Sequence, residues 1–149
     1  MAYVIEIKNL KELQEAFKKA PQIVDKELQA GTKEAGKLVL ATEKQEVPVK
    51  TGQLRRSITL DYKPISVAIY PTVKYALPLH EGSKPHVIVP VRKKVLAFRK
   101  GGKLIFARRV NHPGYKGNRF VERTVNAVTG PLNRIFEKVL DTVISKLTQ

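Results

Sequence analysis

The excess positive charge of this chain lies almost entirely in its middle half. Residues 1–46 carry eight Lys or Arg and eight Asp or Glu, whereas residues 47–120 carry sixteen Lys or Arg against two acids, Asp61 and Glu81. Residues 121–149 add four basic and three acidic residues, which completes the net charge of +15. A folded surface with this charge attracts polyanions and repels copies of itself. The middle segment therefore predicts a partner that carries negative charge.

Length and composition favour a single soluble domain. A chain of 149 residues is long enough to bury a core without covalent cross-links, and it has no cysteine, which excludes disulfides, thiolate metal sites and thiol nucleophiles. The N-terminus lacks the features of a signal peptide, and no apolar run is long enough to cross a bilayer. We therefore expect one domain over residues 1–149, with no membrane contact, in a chain suited to a reducing cytoplasm.

The N-terminal arm, residues 1–46, is predicted to be helical after a short strand. Tyr3–Ile7 has the alternation and β-branching of a strand, and Asn9 then begins a helix. Pro21 is expected to end that helix and begin a second one, which Pro48 ends in turn. Gly31 marks a position where another element can pack closely. The second helix is amphipathic, with a stripe made of Val24, Leu28, Gly31, Ala35, Leu38 and Thr42.

The C-terminal arm, residues 121–149, is predicted to be a second long helix. Apolar residues recur along it at intervals of three and four, as on one face of an α-helix. Gly130-Pro131 is expected to kink this helix or restart it. The stripe consists of Val121, Val125, Val128, Leu132, Ile135, Val139, Val143 and Leu147.

The basic middle segment, residues 47–120, is predicted to be rich in β-structure. Strands are expected at 57–62, 67–69 and 87–89, and in a hairpin that pairs 96–98 with 104–106. Gly101 and Gly102 supply the positive φ angles of a tight hairpin turn, which places Lys100 and Lys103 directly opposite each other. Helix, small antiparallel sheet and helix together predict an α+β fold, in which the long helices pack on the sheet and the basic hairpin projects.

Three histidines and one acid in the middle segment raise the question of a metal site. His80 and Glu81 are adjacent, and neither His86 nor His112 stands four residues from another histidine, so no familiar zinc spacing occurs. We therefore predict loop histidines, with no metal and no cofactor.

The sequence also lacks a constellation for catalysis. Ser57 and Ser83 are not embedded in the sequence that surrounds a hydrolase nucleophile. For Glu81, an ion pair with Lys84 or with an arginine is favoured over an acid–base role, because structural ion pairs commonly involve such groups. We therefore expect no catalytic residues and no enzyme, with a small hydrolase built on His80, Glu81 or His112 as a minor alternative.

The cations of the middle segment are the candidate binding residues. They are expected to face nucleic acid, acidic surfaces of neighbouring proteins, or both. The set consists of Lys50, Arg55, Arg56, Lys84, Arg92, Lys93, Lys94, Arg99, Lys100, Lys103, Arg108, Arg109, Lys116 and Arg119.

Several short sequence blocks occur in a fixed order along the middle of the chain. Residues 47–58 read V-P-V-K-T-G-Q-L-R-R-S-I and connect the long helix to the first strand. Further blocks follow at 75–76 (Y-A), 80–83 (H-E-G-S), 85–90 (P-H-V-I-V-P), 96–98 (L-A-F), 105–107 (I-F-A), 110–114 (V-N-H-P-G) and Phe120. Together they cover about half the chain. In this order they resemble the neck, or tail-completion, proteins of long-tailed phages and prophages, which are also termed minor tail proteins.

The resemblance implies a structural virion protein rather than an enzyme. It implies an α+β protomer that assembles with its own copies into a ring, at the head–tail junction or the tail end, around the path of the DNA. Its partners would be other neck, connector or tail proteins. Its location would be the virion, and the host cytoplasm during assembly. The residues alone also leave open a non-specific nucleic-acid-binding protein with a cellular role.

Overall fold

The structure, a computed structural model, describes residues 10–148. Two long helices and several antiparallel strand pairs confirm the expected α+β class. The predicted strand at Tyr3–Ile7 and the predicted helix start at Asn9 lie outside the described residues. In chain order the elements are α1 (Leu10–Glu46), α2 (Gln53–Ser57), β1 (Ile58–Lys63), β2 (Ser66–Pro71), α3 (Ala76–Glu81), β3 (His86–Ile88), β4 (Leu96–Lys100), β5 (Lys103–Ala107), β6 (Val110–His112) and α4 (Phe120–Leu147).

The chain divides into two compact units. Unit 1 comprises Met1–Thr72 and Val121–Gln149, and unit 2 comprises Val73–Phe120. The basic segment 47–120 is therefore split between them at residue 72. The organisation of residues 1–149 as one domain remains a prediction.

Helix α1 is continuous from Leu10 to Glu46, so the predicted helix boundary at Pro21 was wrong. Proline lacks a backbone N–H, and the carbonyl four residues earlier, at Phe17, loses its helical partner. Phe17 is 71% exposed and Pro21 is exposed as well, so water can reach that carbonyl and replace the missing donor. The predicted end of the helix before Pro48 is confirmed.

Helix α4 is likewise continuous through Pro131, so the predicted restart at Gly130-Pro131 does not occur. Its apolar stripe is buried at Val128 and Val143. The first two members of the stripe, Val121 and Val125, are instead 40% and 52% exposed.

Helices α1 and α4 run antiparallel within unit 1. Near the C-terminal end of α4, the Lys146 ammonium donates to Glu27 of α1 over 2.6 Å. Near the N-terminal end of α4, the Arg123 guanidinium donates to Glu46 of α1 over 2.8 Å. Between these ion pairs the helices approach closely at Gly31. A Cβ at that position would lie only 2.6 Å from Cγ2 of Val139. The expected close packing at Gly31 is thus confirmed.

The β1–β2 hairpin packs on α1. Its register pairs Ile58 with Pro71 and Lys63 with Ser66, close to the predicted strands. A Cβ on Gly36 of α1 would lie 3.0 Å from Val67, and the Tyr62 hydroxyl donates to the Lys33 carbonyl over 3.3 Å. The buried apolar residues of unit 1 are Ala35, Val47, Leu54, Ile58, Val128 and Val143.

Unit 2 is built from small elements. Strand β3 pairs with β6, and β4 pairs with β5, in separate two-stranded antiparallel sheets. The β4–β5 hairpin has the predicted Gly-Gly turn, with φ angles of +57° at Gly101 and +79° at Gly102, and it places Lys100 opposite Lys103. Helices α2 and α3 and strand β6 were not predicted from the sequence. Within unit 2 the buried apolar residues are Ala76 and Phe120.

We predict that Gly31→Ala lowers the free energy of unfolding by about 1–2 kcal/mol. The methyl group overpacks the contact with Val139, and the better helix propensity of alanine offsets this loss by at most about 1 kcal/mol. Denaturant unfolding measures the change. In a Val139→Ala background the same substitution should be neutral or stabilising, and an equal loss in both backgrounds would contradict the proposed contact.

Candidate functional site

Two loops of unit 2 cross at a site held by backbone hydrogen bonds. The Ser83 amide donates to the Tyr115 carbonyl over 2.7 Å, and the Tyr115 amide donates back to the Ser83 carbonyl over 2.8 Å. The Asn118 amide donates to the Leu79 carbonyl over 2.9 Å, and the Arg119 amide to the His80 carbonyl over 3.1 Å. These bonds fasten the loop after β6 to α3 and the loop that follows it.

Glycines allow the loops to cross this closely. Gly82 has a φ of +96°, and a Cβ there would lie 2.2 Å from the Tyr115 carbonyl oxygen. Gly117 has a φ of +83°, and a Cβ there would lie 2.6 Å from the carbonyl oxygens of His80 and Glu81. Both the backbone conformation and the space exclude a side chain. The blocks at 80–83 and 110–114, noted separately in the sequence, therefore belong to one structural feature.

The histidines of unit 2 have structural roles at this crossing and beside it. His86 and His112 are paired in the β3–β6 register, and their rings stack at a centroid distance of 5.0 Å. The His86 Nδ1–H donates to the Lys84 carbonyl over 2.8 Å, and His112 Nδ1 accepts from the Gly114 amide over 3.1 Å. The ring of His80 meets Phe120 edge-on at 4.9 Å.

The structure does not assemble the residues considered for metal binding. Within residues 10–148, no three His, Asp or Glu side chains come together as metal ligands. The favoured ion pair of Glu81 is also missing: its side chain is exposed at the end of α3, and no bond to Lys84 or to an arginine is formed among the described residues. An exposed carboxylate is well hydrated, so it gains little from such a pair.

All fourteen predicted binding cations are exposed. Lys50, Arg55 and Arg56 belong to unit 1, and the other eleven belong to unit 2. Unit 2 contains twelve Lys or Arg and one acid, Glu81, which gives it a net charge of +11.

In unit 1, the guanidinium of Arg56, a residue of α2, donates to the Thr51 carbonyl over 3.2 Å, which holds this side chain near the start of the helix. The two ion pairs described above join helices of unit 1 and involve none of these fourteen cations.

The β4–β5 hairpin combines a basic tip with an exposed apolar face. Phe98 and Ile105 lie opposite each other on the half-buried face, which ends in Lys100 and Lys103 at the turn. On the other face, Leu104 and Phe106 are 57% and 62% exposed. This exposed face was not predicted from the sequence. The signal was the unbroken apolar run at residues 104–107, which places apolar side chains on both faces of β5, whereas a two-stranded hairpin cannot cover both of its faces.

The chain matches a family of phage tail proteins over part of its length. Residues 11–81 match the model of the HK97-gp10-like family, described as "Bacteriophage HK97-gp10, putative tail-component". The matched region includes α2, β1, β2 and α3 and almost all of α1. It confirms the resemblance to a phage tail family that the sequence blocks indicated. No curated protein and no solved structure matches the chain significantly.

Among the described residues, none of the helices has the length and apolar character required to span a membrane.

We predict that Gly82→Ala lowers the free energy of unfolding by more than about 3 kcal/mol. Backbone strain of about 1–3 kcal/mol at this φ adds to the displacement of Tyr115 and the loss of its hydrogen bonds with Ser83. The matched control is Gly102→Ala, which also has a positive φ but has no atom within 4 Å of the new Cβ. The control should cost only about 1 kcal/mol, from strain alone. Equal losses in thermal or denaturant melts would show that the crossing does not stabilise the fold.

Proposed function

We propose that this protein is a structural component of a phage or prophage tail, which completes the tail or joins it to the head by assembling into a ring around the DNA path. The match of residues 11–81 to a family of tail components is the observation that carries the proposal. It supports a structural phage protein of the virion. The neck position and the ring are our extension of it.

The basic surface of unit 2 is proposed to be the face that meets the negatively charged partner. Eleven exposed cations occupy 48 residues with one acid among them. Charge of this density raises the local concentration of a polyanion and steers its approach. Packaged DNA and acidic surfaces of neighbouring rings both have the required sign. The Lys50, Arg55 and Arg56 side chains of unit 1 extend the proposed set.

The same charge predicts how the protein assembles. Copies of a surface with a net charge of +15 repel one another in dilute buffer, and a ring built from heterologous contacts needs that repulsion offset. We therefore expect a monomer or small oligomer in isolation and a ring when an anionic partner is present. Assembly would take place in the host cytoplasm, with other neck, connector or tail proteins as neighbours. No catalytic role and no cofactor enter the proposal.

One specific observation favours a second candidate, a non-specific nucleic-acid-binding protein with a cellular role. The charge of +11 in unit 2 would suit such a protein. Sequence-tolerant binding to single strands also uses aromatic side chains on which bases stack. Three aromatic side chains of unit 2 are exposed and could serve as such surfaces: Phe106 at 62%, Tyr75 at 42% and Tyr115 at 44%.

DNA binding by the isolated protein should be independent of sequence and strongly dependent on salt. If six phosphates are contacted, affinity should fall by about 10³-fold between 50 and 200 mM salt, because binding releases condensed counterions. Fluorescence anisotropy with two unrelated duplexes measures both properties. Binding that persists in high salt, or that prefers one duplex strongly, would contradict the proposed electrostatic contact with the DNA backbone.

Replacing Arg99, Lys100 and Lys103 together with Glu should preserve the fold and block incorporation into particles. The three side chains are exposed at the hairpin turn, so each change should alter stability by no more than about 0.5 kcal/mol. Reversing their charge turns attraction to an anionic partner into repulsion. Complementation of a phage that lacks this gene measures incorporation, and thermal melts measure stability.

The matched control replaces Lys18, Lys19 and Lys26 with Glu. These side chains are exposed on α1, outside the basic segment, and either triple change lowers the net charge by six, from +15 to +9. The control should leave infectivity near that of the unmodified protein. Equal infectivity of the two triple variants would show that the hairpin tip is not a partner-binding site.

A further inference from the structure

Unit 1 contains an open apolar groove of about 420 Å³ between α1, β2 and α4. Unlike the cavity left by a packing defect, it is bordered by large apolar side chains that remain in contact with water. Ile65 is 68% exposed, Val125 52% and Phe136 38%. A groove bordered by exposed apolar side chains is a candidate site of interaction. Val67, Ile69 and Leu132 also line the groove.

A free strand edge lies beside the groove. Strand β2 pairs with β1 on one side only, in a two-stranded sheet, and no further strand joins it among the described residues. The groove is lined by β2 and by the turn before it, and by no residue of β1. An unpaired edge beside apolar pockets is the arrangement that binds an added strand, with main-chain hydrogen bonds to the edge and alternate side chains in the pockets.

The chain itself contains a segment of the required type, at residues 3–7. In an extended conformation Tyr3, Ile5 and Ile7 lie on one side, which supplies an apolar face for the groove. The segment has five residues and β2 has six, so their lengths match. Residues 1–9 carry one acidic and one basic side chain, Glu6 and Lys8. This segment therefore approaches a basic protein without the repulsion that unit 2 would meet.

The segment cannot reach the groove of its own chain. The first lining residue along α1 is Thr32, which lies 22 residues after Leu10. At 1.5 Å per residue that separation is about 33 Å along the helix. Tyr3 is seven residues before Leu10 and extends at most about 25 Å from it, and Ile7 at most about 10 Å. A strand formed by residues 3–7 thus fits the groove of a second copy and not its own.

We propose that residues 3–7 of one copy dock in the α1–β2–α4 groove of a neighbouring copy and add a strand to the free edge of β2. Each copy then gives one strand and receives one, which is a heterologous contact of the kind that closes into a ring. This inference rests on the proposed function, because it assigns the contact by which the ring is built. It also covers the exposed apolar side chain of Val125 in the groove.

Paired cysteines test the contact, since the natural chain contains none. Ile5→Cys is combined with Ile65→Cys in the full chain, and a short bismaleimide is added. Ile65 lies in the exposed β1–β2 turn, so this change removes no buried contact. The control combines Ile5→Cys with Val91→Cys, because Val91 is 93% exposed and reports random collisions. Samples are compared at low salt and at about 1 M salt, where the Debye length of about 3 Å screens the repulsion between copies.

We expect a ladder of covalent oligomers from the Ile5–Ile65 pair, which becomes stronger at high salt. A docked segment has an effective concentration in the millimolar range, so the ladder should exceed the control by more than about tenfold at micromolar protein. Cross-linking equal to the control would overturn the inference. A cross-linked monomer would overturn it as well, because it would show that the segment folds back on its own chain.

Light scattering on the same samples separates this inference from the proposed function. Oligomers that form without Ile5–Ile65 cross-linking would overturn the docking contact and leave the ring proposal intact. If no oligomer forms at high salt, with DNA or with tail fractions, the ring proposal fails, and the docking contact fails with it.

Discussion

The close crossing of two backbone loops holds unit 2 together. Unit 2 has a net charge of +11, and its buried apolar residues are Ala76 and Phe120. Apolar burial on this scale does little to oppose repulsion among twelve cations. The order of unit 2 therefore depends on the paired hydrogen bonds between Ser83 and Tyr115. It also depends on Gly82 and Gly117, where a Cβ atom would collide with the backbone of the opposite loop. This construction keeps the cations on the surface, because it uses backbone groups instead of side chains to join the loops.

Unit 1 is stabilised in a different way and provides a different surface. Its long helices pack along an apolar stripe, with Gly31 against Val139 and an ion pair toward each end. The helices and the β1–β2 hairpin do not cover each other completely, and the groove remains. One chain thus carries a basic surface and an apolar groove, which we propose bind an anionic partner and a neutral segment, respectively. A ring that surrounds DNA needs both kinds of contact, one to the partner and one between copies.

The sequence predicted the elements whose pattern is local. The α1 stripe, the end of α1 before Pro48 and the Gly-Gly turn all follow from spacing or from the conformation of single residues. The predicted helix boundary at Pro21 was wrong, because a solvent-exposed helix tolerates the loss of one hydrogen bond. The pairing of β3 with β6 was missed, because it joins residues about 25 positions apart and no short pattern encodes that contact. For the candidate site, the charge predicted which residues are exposed, but only the fold shows how they divide between two units.

Electron cryo-microscopy of phage particles produced from a genome that encodes this protein tests the central claim most directly. The account predicts a closed ring of copies at the head–tail junction or at the tail end, in which the unit 2 cations face DNA or an acidic surface of a neighbouring protein. Particles without the protein, or a ring in which unit 2 projects into solvent with no anionic surface near it, would contradict the account.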